Sequence, residues 1–305
     1  MAPPKFSDLN KQVSDIFNKG YFFNVFKLDV KTRTANGVNF NVIGEHNTET
    51  SKTAGSLETK YVVPEYGLTF LEKWNTDNLL KCEITADNRL VEGFKIVFDA
   101  SLIPNTGNSY ERIHFGMKTR PLSLDITSQR KKTAELRTAY THDRAHIETN
   151  VVFDNAGPIL NGAIVLGHQG WLAGYQYVFN TARSLLTKNN FAVGFKAKDF
   201  TLYANMNDGN EVGGSVYQRV NDRLETGVQL AWTAGSNQTR FALASKYQLD
   251  SQTVVGAKVN NICQVGLSFQ QLLRPGVKLT LSALFEARNL NAGGHKVGFG
   301  LELDG

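Results

Sequence analysis

Polar and apolar residues alternate along most of the chain, from Tyr21 to Leu303, and no long apolar block interrupts the pattern. Between Val277 and Glu286, one set of alternate residues is entirely apolar, whereas the other is mostly polar. Because successive residues of a β-strand point to opposite faces, such a segment has one apolar face and one polar face. Two folds suit this pattern: two packed sheets that bury their apolar faces, or one closed sheet that turns its apolar face toward lipid.

The spacing of the turns favours the closed sheet. Turn signals such as Asn36-Gly37 and Pro275-Gly276 recur about every 14 residues, which suits membrane-barrel strands of roughly 9–11 residues with short loops. Strands of soluble sandwiches are shorter, near five or six residues. The sequence therefore predicts an all-β transmembrane barrel with about nineteen or twenty strands after Gly20.

The charge balance bears on what the barrel admits. With 33 Lys and Arg against 28 Asp and Glu, the net charge is +5, and no compact basic run with interleaved aromatic residues is present. Nucleic acid is therefore not an expected partner. Many basic residues lie on the polar phase of the strands and predict a cationic lumen that favours anions: Lys95, Lys196, Arg219, Lys246, Lys258, Lys278 and Lys296.

The first twenty residues differ from the rest of the chain. Residues 1–20 carry apolar side chains at helical spacing and predict an amphipathic α-helix that ends at Gly20. This helix could pack on the domain, anchor at a membrane surface or lie inside the barrel. The first residues lack the apolar core of a signal peptide, so export to a bacterial outer membrane is not expected. The apolar positions of the helix are Phe6, Leu9, Val13, Ile16 and Phe17.

The apolar phase predicts the surface that meets lipid. Glu72 shares this phase with Phe70 and Trp74, which places a carboxylate in a hydrocarbon environment unless a bulge turns it inward. Aromatic residues near strand ends are typical of interfacial girdles, and those on this phase are Trp74, Tyr175, Tyr217, Trp232 and Tyr247.

Several long stretches carry a family resemblance: Gly55-Ser56-Leu57-Glu58-Thr59-Lys60-Tyr61, Glu72-Lys73-Trp74-Asn75-Thr76-Asp77-Asn78, Gly170-Trp171-Leu172-Ala173-Gly174-Tyr175-Gln176 and Asn291-Ala292-Gly293-Gly294-His295-Lys296. Through them the chain resembles the mitochondrial voltage-dependent anion channel family, the eukaryotic porins, over essentially its whole length. The resemblance implies a nineteen-stranded antiparallel barrel in the mitochondrial outer membrane, with parallel first and last strands and the helix in the pore. It also implies a voltage-gated, weakly anion-selective pore for ATP, ADP, other metabolites and small ions, with no enzymatic activity and no required cofactor.

The resemblance also implies site residues. Nucleotide contacts would fall on Lys11 and Lys19, and Glu72 matches a lipid-facing glutamate linked to hexokinase docking and to dimerisation. Kinases and apoptosis-regulating proteins are the implied partners, and weak binding of ATP and NADH is implied as well. The NAD contacts would fall on two late strands, at Gln264, Val265, Gly266, Ser282, Ala283, Leu284, Phe285 and Glu286, where Gln264-Val265 and Glu286 depart from the family pattern.

One segment has no counterpart in the family. The stretch of residues 109–130 interrupts the barrel domain, residues 21–305, just before a strand predicted at Thr133 to Tyr140. A long loop and an added hairpin both suit it, since its apolar residues alternate on each side of Pro121.

No catalytic or metal-binding motif is recognisable in the sequence, and Cys82 and Cys263 are expected to be free thiols.

Three functions besides the pore stay open. They are a docking scaffold for kinases and apoptosis regulators, the related protein-import barrel of the same membrane, and a soluble β-sandwich that binds a lipid.

Overall fold

The computed structural model describes residues 2–88, 91–103, 110–115, 122–127, 133–154, 156–236, 239–288, 291 and 293–305. A 3-10 turn (Phe6–Asp8) and helix α1 (Lys11–Asn18) come first. The strands that follow are β1 (Val25–Arg33), β2 (Asn39–Asn47), β3 (Lys52–Val63), β4 (Leu68–Asn75), β5 (Leu80–Asp87), β6 (Phe94–Leu102), β7 (Tyr110–Phe115), β8 (Leu122–Thr127), β9 (Thr133–His142), β10 (Ala145–Phe153), β11 (Ile159–His168), β12 (Trp171–Asn180), β13 (Leu185–Lys196), β14 (Phe200–Asn207), β15 (Glu211–Arg219), β16 (Leu224–Thr233), β17 (Thr239–Gln248), β18 (Thr253–Asn260), β19 (Gln264–Arg274), β20 (Val277–Glu286) and β21 (Lys296–Asp304). A second 3-10 turn, Pro64–Tyr66, joins β3 to β4.

Nineteen strands close into one barrel, which confirms the predicted fold class. Each strand pairs antiparallel with the next, except that β6 skips β7 and β8 and pairs with β9. The barrel closes through parallel pairing of β1 with β21, where Phe26 lies opposite Phe299. An odd number of alternating strands makes the first and last run in the same direction, so this closure is parallel.

The two faces of the barrel follow the alternation of the sequence. Residues opposite each other in register share a face, so the phases can be traced from strand to strand around the barrel. Large apolar side chains stand exposed on the outer phase, among them Val297 at 65% and Trp74 at 53%. Inside, the same strands present polar, charged and small residues. A closed barrel with a polar interior and an apolar exterior is the arrangement that a lipid bilayer requires.

Apolar burial is concentrated where the N-terminal segment lies against the inner wall. Leu9, Val13, Ile16 and Phe17 are all buried there. In the described part of the chain, no helix is both long and apolar enough to span a membrane, a finding that has no bearing on spanning strands.

Tyr217 corrects the prediction of the aromatic girdle. Trp74, Trp232 and Tyr247 are exposed on the outer face, as expected for a girdle. Tyr217 instead belongs to the inner phase of β15, where it packs against α1 and is only 8% exposed. Val216 precedes it, and two adjacent apolar residues leave the phase ambiguous until the helix covers one of them.

Residues 109–130, the stretch expected to depart from the family pattern, contain a hairpin outside the barrel sheet. β7 and β8 pair antiparallel with each other, with Tyr110 opposite Thr127, and form a separate two-stranded sheet. The chain rejoins the barrel at β9, directly beside β6. Residues 104–109, 116–121 and 128–132 lie outside the described residues.

Candidate functional site

The inner face of the barrel is strongly charged, with basic side chains in excess. Ion pairs neutralise many acidic residues; Arg137, for example, contacts Glu83, Asp99 and Glu135. Several inward lysines, by contrast, form no ion pair with any described residue. These are Lys31, Lys60, Lys95, Lys188, Lys196 and Lys246. The lumen therefore carries uncompensated positive charge spread along the wall.

The N-terminal segment, residues 2–24, lies inside this lumen and contacts the wall in four places. Its first contact is apolar: Leu9 is buried against Val165 and Ala192, with Phe6 beside it. Gly174 makes this approach feasible, because a Cβ there would come within 2.8 Å of the Phe6 ring. A larger residue at that position would push the segment off the wall.

The second contact is made by α1. Val13, Ile16 and Phe17 pack on Tyr217 and Ala244 of the inner wall. On either side of this patch, Thr201 donates a hydrogen bond to the Gln12 amide oxygen at 2.7 Å, and Ser215 donates to Asn10 at 2.6 Å. Apolar burial combined with satisfied polar groups fixes the position of the helix on the wall.

The third contact is made by the end of α1 and by residues 19–24, which we call the linker. Lys258 donates a hydrogen bond to the Phe17 carbonyl at 2.7 Å and lies 4.1 Å from the centre of the Tyr21 ring. Ser268 donates to the Gly20 carbonyl at 2.7 Å, and the Phe22 amide donates to Ser282 at 3.0 Å. A charged donor at the free carbonyls of a helix end is a stabilising C-terminal cap.

Phe22 also presses on a strip of small residues. A Cβ at Gly298 would collide with the Phe22 carbonyl oxygen, and a Cβ at Gly300 would come within 2.7 Å of its ring. Only glycine permits this close backbone approach.

The start of the segment is anchored by charge. Lys5 lies 3.4 Å from the Glu148 carboxylate, which also faces the ring of the buried His146 at 3.3 Å. Thr141 completes the group through a 2.9 Å contact with the other ring nitrogen of His146. The segment is thus tied to the wall at both ends and along its middle.

The two lysines for which the resemblance implies nucleotide contacts both lie on the exposed side of this segment. Lys11 is 3.9 Å from Asp8, and Lys19 is 2.8 Å from Asp15. Each faces the lumen with an acidic neighbour one helical turn away, which lowers the charge that it offers to an anion.

The residues implied for NAD binding divide between the two faces of the barrel. β19 and β20 are neighbours, with Gln264 opposite Glu286 and hydrogen-bonded to it. The inward members are Gln264, Gly266, Ser282, Leu284 and Glu286, and the outward members are Val265, Ala283 and Phe285. A ligand in the lumen could therefore touch only the inward set.

A small cavity of about 260 Å³ connects three of these inward residues to the linker. Gln264, Gly266 and Leu284 line it together with Phe23 and Lys258. The residues that hold the linker, Lys258 among them, were not singled out as its partners from the sequence. The available signal was a set of glycines on the polar phase of the strands, which marks where the N-terminal segment approaches the wall: Gly174, Gly227, Gly256, Gly266, Gly298 and Gly300.

Glu72 points outward. It alternates with exposed Phe70 and Trp74 on β4, and its register neighbours Thr59 and Cys82 share the outer phase. Within the described barrel strands, it is the one acidic or basic residue on the outer phase away from a strand end. The alternative of an inward turn at a bulge is excluded, because the register of β4 is continuous.

A polar contact closes the barrel seam at the end where β1 begins. Glu49, in the turn between β2 and β3, accepts hydrogen bonds from Lys296 and Asn24, each at 2.8 Å. The hydrogen bond from Lys296 is the largest cause that holds the pKa of Glu49 below its ordinary value, and the bond from Asn24 adds to it.

Among the described residues, no group of three or more His, Cys, Asp or Glu side chains could hold a metal ion.

Comparison with known proteins agrees with this geometry. The sequence model described as Eukaryotic porin matches residues 2–129 and 116–298. The chain belongs to the eukaryotic porin family. This porin is 52% identical over 303 residues to a Xenopus laevis protein named "Non-selective voltage-gated ion channel VDAC2", covering 99% of both chains. It is 51% identical over 302 residues to the human protein named "Non-selective voltage-gated ion channel VDAC1", again covering 99% of both. A solved mutant of Rh. blastica porin superposes with a TM-score of 0.49 at 13% identity, over 87% of this chain and 98% of that one.

Proposed function

We propose that this porin is a voltage-gated, weakly anion-selective pore of the mitochondrial outer membrane that passes ATP, ADP, other metabolites and small ions. The observation that carries the proposal is a charged lumen that contains the N-terminal segment and several lysines without an ion-pair partner among the described residues. Positive charge along a pore raises the local concentration of anions. The relatives are named non-selective channels, and a lumen with both signs of charge suits a weak preference rather than a strict one.

Planar-bilayer recording tests the pore. Purified protein is inserted under a salt gradient, and current is followed while the voltage is swept. We expect large conductance steps and channels that close when the voltage is raised at either polarity. The sign of the reversal potential should be that of an anion-selective pore. Folded protein that does not conduct would overturn the proposal, and a reversal potential of zero would remove its anion selectivity. Retention in the outer-membrane fraction of mitochondria after a carbonate wash tests the localisation.

Weak nucleotide binding belongs to the same proposal. ATP would contact Lys11 and Lys19, and NADH would contact the inward residues of β19 and β20. Because Asp8 and Asp15 already pair with the two lysines, affinity there should be low and sensitive to salt. Titration with NADH, followed by chemical shifts of Gln264 and Ser282, would locate the second contact.

A docking role is the second candidate, carried by the outward position of Glu72. A carboxylate exposed to hydrocarbon is costly, so it is better explained by a partner than by stability. The partners proposed are hexokinase-like kinases, apoptosis-regulating proteins and a second copy of the porin.

The docking role is tested by Glu72→Gln. We expect it to abolish capture of hexokinase by porin-containing vesicles while conductance is unchanged. Glu58→Gln, which removes the same charge from the inner face of the neighbouring strand, is the matched control and should leave capture intact. Loss of capture in both variants would show that net charge, not an outward site, governs docking.

A further inference from the structure

The β7–β8 hairpin pairs with no other described strand. Its register runs from Tyr110 opposite Thr127 to Phe115 opposite Leu122. A two-stranded hairpin is at best marginally stable in water unless another surface covers one of its faces. The adjoining barrel strands offer no free edge for this purpose, because β6 and β9 already pair with each other over eight residue pairs. The hairpin therefore needs a covering surface outside the barrel sheet.

The register divides the hairpin into one apolar and one polar face. Residues opposite each other share a face, as do residues two apart along a strand. One face carries five apolar residues, with Glu111 as the exception at the base of the hairpin: Ile113, Phe115, Leu122, Leu124 and Ile126. The other face is polar: Tyr110, Arg112, His114, Ser123, Asp125 and Thr127. An element with two such faces suits the boundary between water and an apolar phase.

The stretch that contains the hairpin also carries most of the net charge of the chain. Residues 103–132 include six Lys and Arg against two Asp and Glu, which gives +4 out of +5 for the whole chain. Three of the basic residues, Arg130, Lys131 and Lys132, are consecutive and come just before β9. Basic clusters beside a membrane-spanning element favour anionic lipid headgroups. Charge thus selects an anionic surface as the cover of the hairpin.

The connections to the barrel keep the hairpin close to the membrane. Five residues, 128–132, join β8 to β9, and a chain of that length spans at most about 18 Å. The ends of β6 and β9 that flank the hairpin lie at the barrel rim, where the hydrocarbon core meets a headgroup layer about 5–8 Å thick. A hairpin of about 20 Å on this connection reaches the headgroups of the membrane that contains its own barrel.

We propose that the apolar face of the β7–β8 hairpin docks on the anionic phospholipid surface of the membrane that the barrel spans. The apolar residues enter the boundary between headgroups and acyl chains, and the basic residues of the stretch attract the lipid phosphates. The porin consequently prefers a membrane rich in anionic lipid. This contact lies outside the lumen, so it does not depend on the proposed selectivity of the pore.

Site-specific fluorescence of the full-length porin in lipid vesicles tests which face is docked. After Cys82→Ser and Cys263→Ser, a bimane label is attached through Leu124→Cys on the apolar face or Ser123→Cys on the polar face. In vesicles of phosphatidylcholine and phosphatidylserine, spin-labelled lipid should quench the first label, and acrylamide in the water should quench the second. In phosphatidylcholine alone, acrylamide should quench the first label at least about fivefold faster than in the anionic vesicles.

Charge variants test the choice of lipid. Arg130→Gln, Lys131→Gln and Lys132→Gln together should lower the ratio of docked to free hairpin in anionic vesicles at least about tenfold, since each basic residue near such a surface contributes about fivefold. The matched control removes three basic residues from turns at the opposite end of the barrel. Arg144→Gln, Lys198→Gln and Arg223→Gln together should leave the Leu124→Cys label protected. Circular dichroism first confirms that each variant keeps the β-content of the parent.

Three outcomes would overturn the proposal. Equal acrylamide quenching of the two labels in anionic vesicles would show that the hairpin has no docked face. Protection that survives the loss of Arg130, Lys131 and Lys132 would show that anionic lipid is not what holds it. Protection that rises with protein concentration in detergent micelles without anionic lipid would assign the apolar face to a second copy of the porin.

Discussion

Replacement of Gly298 by alanine tests whether the linker must lie on the inner face of β21. A Cβ at this position collides with the Phe22 carbonyl oxygen, a backbone atom that cannot rotate away. The linker must therefore shift, and the hydrogen bond from the Phe22 amide to Ser282 is lost with it.

The size of the effect follows from two terms. Overpacking costs about 1–3 kcal/mol, and the lost hydrogen bond adds about 0.5–1.5 kcal/mol. The total of about 1.5–4.5 kcal/mol corresponds to a roughly 10-fold to 2,000-fold increase in the population with an open linker. The apolar contacts of α1 are not altered directly, so we expect the linker to open while the barrel stays folded.

Limited proteolysis with chymotrypsin, which cleaves after Phe22 and Phe23, measures this population when opening is fast relative to cleavage. We expect cleavage of Gly298→Ala to be faster by at least about 10-fold. Gly227→Ala should behave as the parent chain, because its Cβ would lie 3.4 Å from the Phe17 ring, an ordinary contact. Gly44→Ala, with open space around it, controls for the change from glycine to alanine in a strand. Equal cleavage rates in Gly298→Ala and Gly44→Ala would refute the close packing of the linker on β21.

Three further predictions concern single side chains. Glu72→Gln should raise the free energy of unfolding by about 1–2 kcal/mol, because it removes a charge that faces lipid; thermal unfolding in lipid vesicles measures it. Lys258→Met removes a charged hydrogen bond to the Phe17 carbonyl, which contributes about 1.5–3 kcal/mol. We therefore expect the rate at which water-soluble cross-linking reagents in the lumen react with the N-terminal segment to increase at least about tenfold. The pKa of Glu49 is held below its ordinary 4.5 by Lys296, so the contribution of this contact to stability is present above that value and is lost as the pH falls through the lowered pKa. Glu49→Gln should therefore reduce the difference in unfolding temperature between about pH 6 and about pH 3, and an unchanged difference would contradict the role of this contact.

The barrel was predictable because alternation with period two has few other physical explanations. The alternation within a segment such as Val277–Glu286 indicates which residues share a face, and the spacing of the turns indicates the strand length. The parallel closure of β1 on β21 came from the family resemblance instead, since alternation is the same in parallel and antiparallel strands.

The position of the N-terminal segment was not predictable from its own pattern. An amphipathic helix indicates that one side is covered, but not by what, so a packed helix, a surface anchor and a plug in the pore all stayed open. The covering surface belongs to strands more than 140 residues away, where Gly174 and Gly227 leave room on the polar phase. Tyr217 was misassigned for the same reason, because its partner is the helix and not lipid.

The parallel seam and the N-terminal segment are physically coupled. Because β1 and β21 run in the same direction, both begin at one end of the barrel, and the residues before β1 arrive beside the start of β21. The Asn24 amide donates to the Val297 carbonyl at 2.9 Å, and the left-handed backbone of Asn24, with φ 59°, then turns the chain into the lumen. Phe22 consequently lies over Gly298 and Gly300 and covers the seam from inside. In a barrel with an even number of strands, the residues before β1 would meet the end of the last strand instead. Any motion that begins by lifting the linker from the wall must therefore first uncover the strand that closes the barrel.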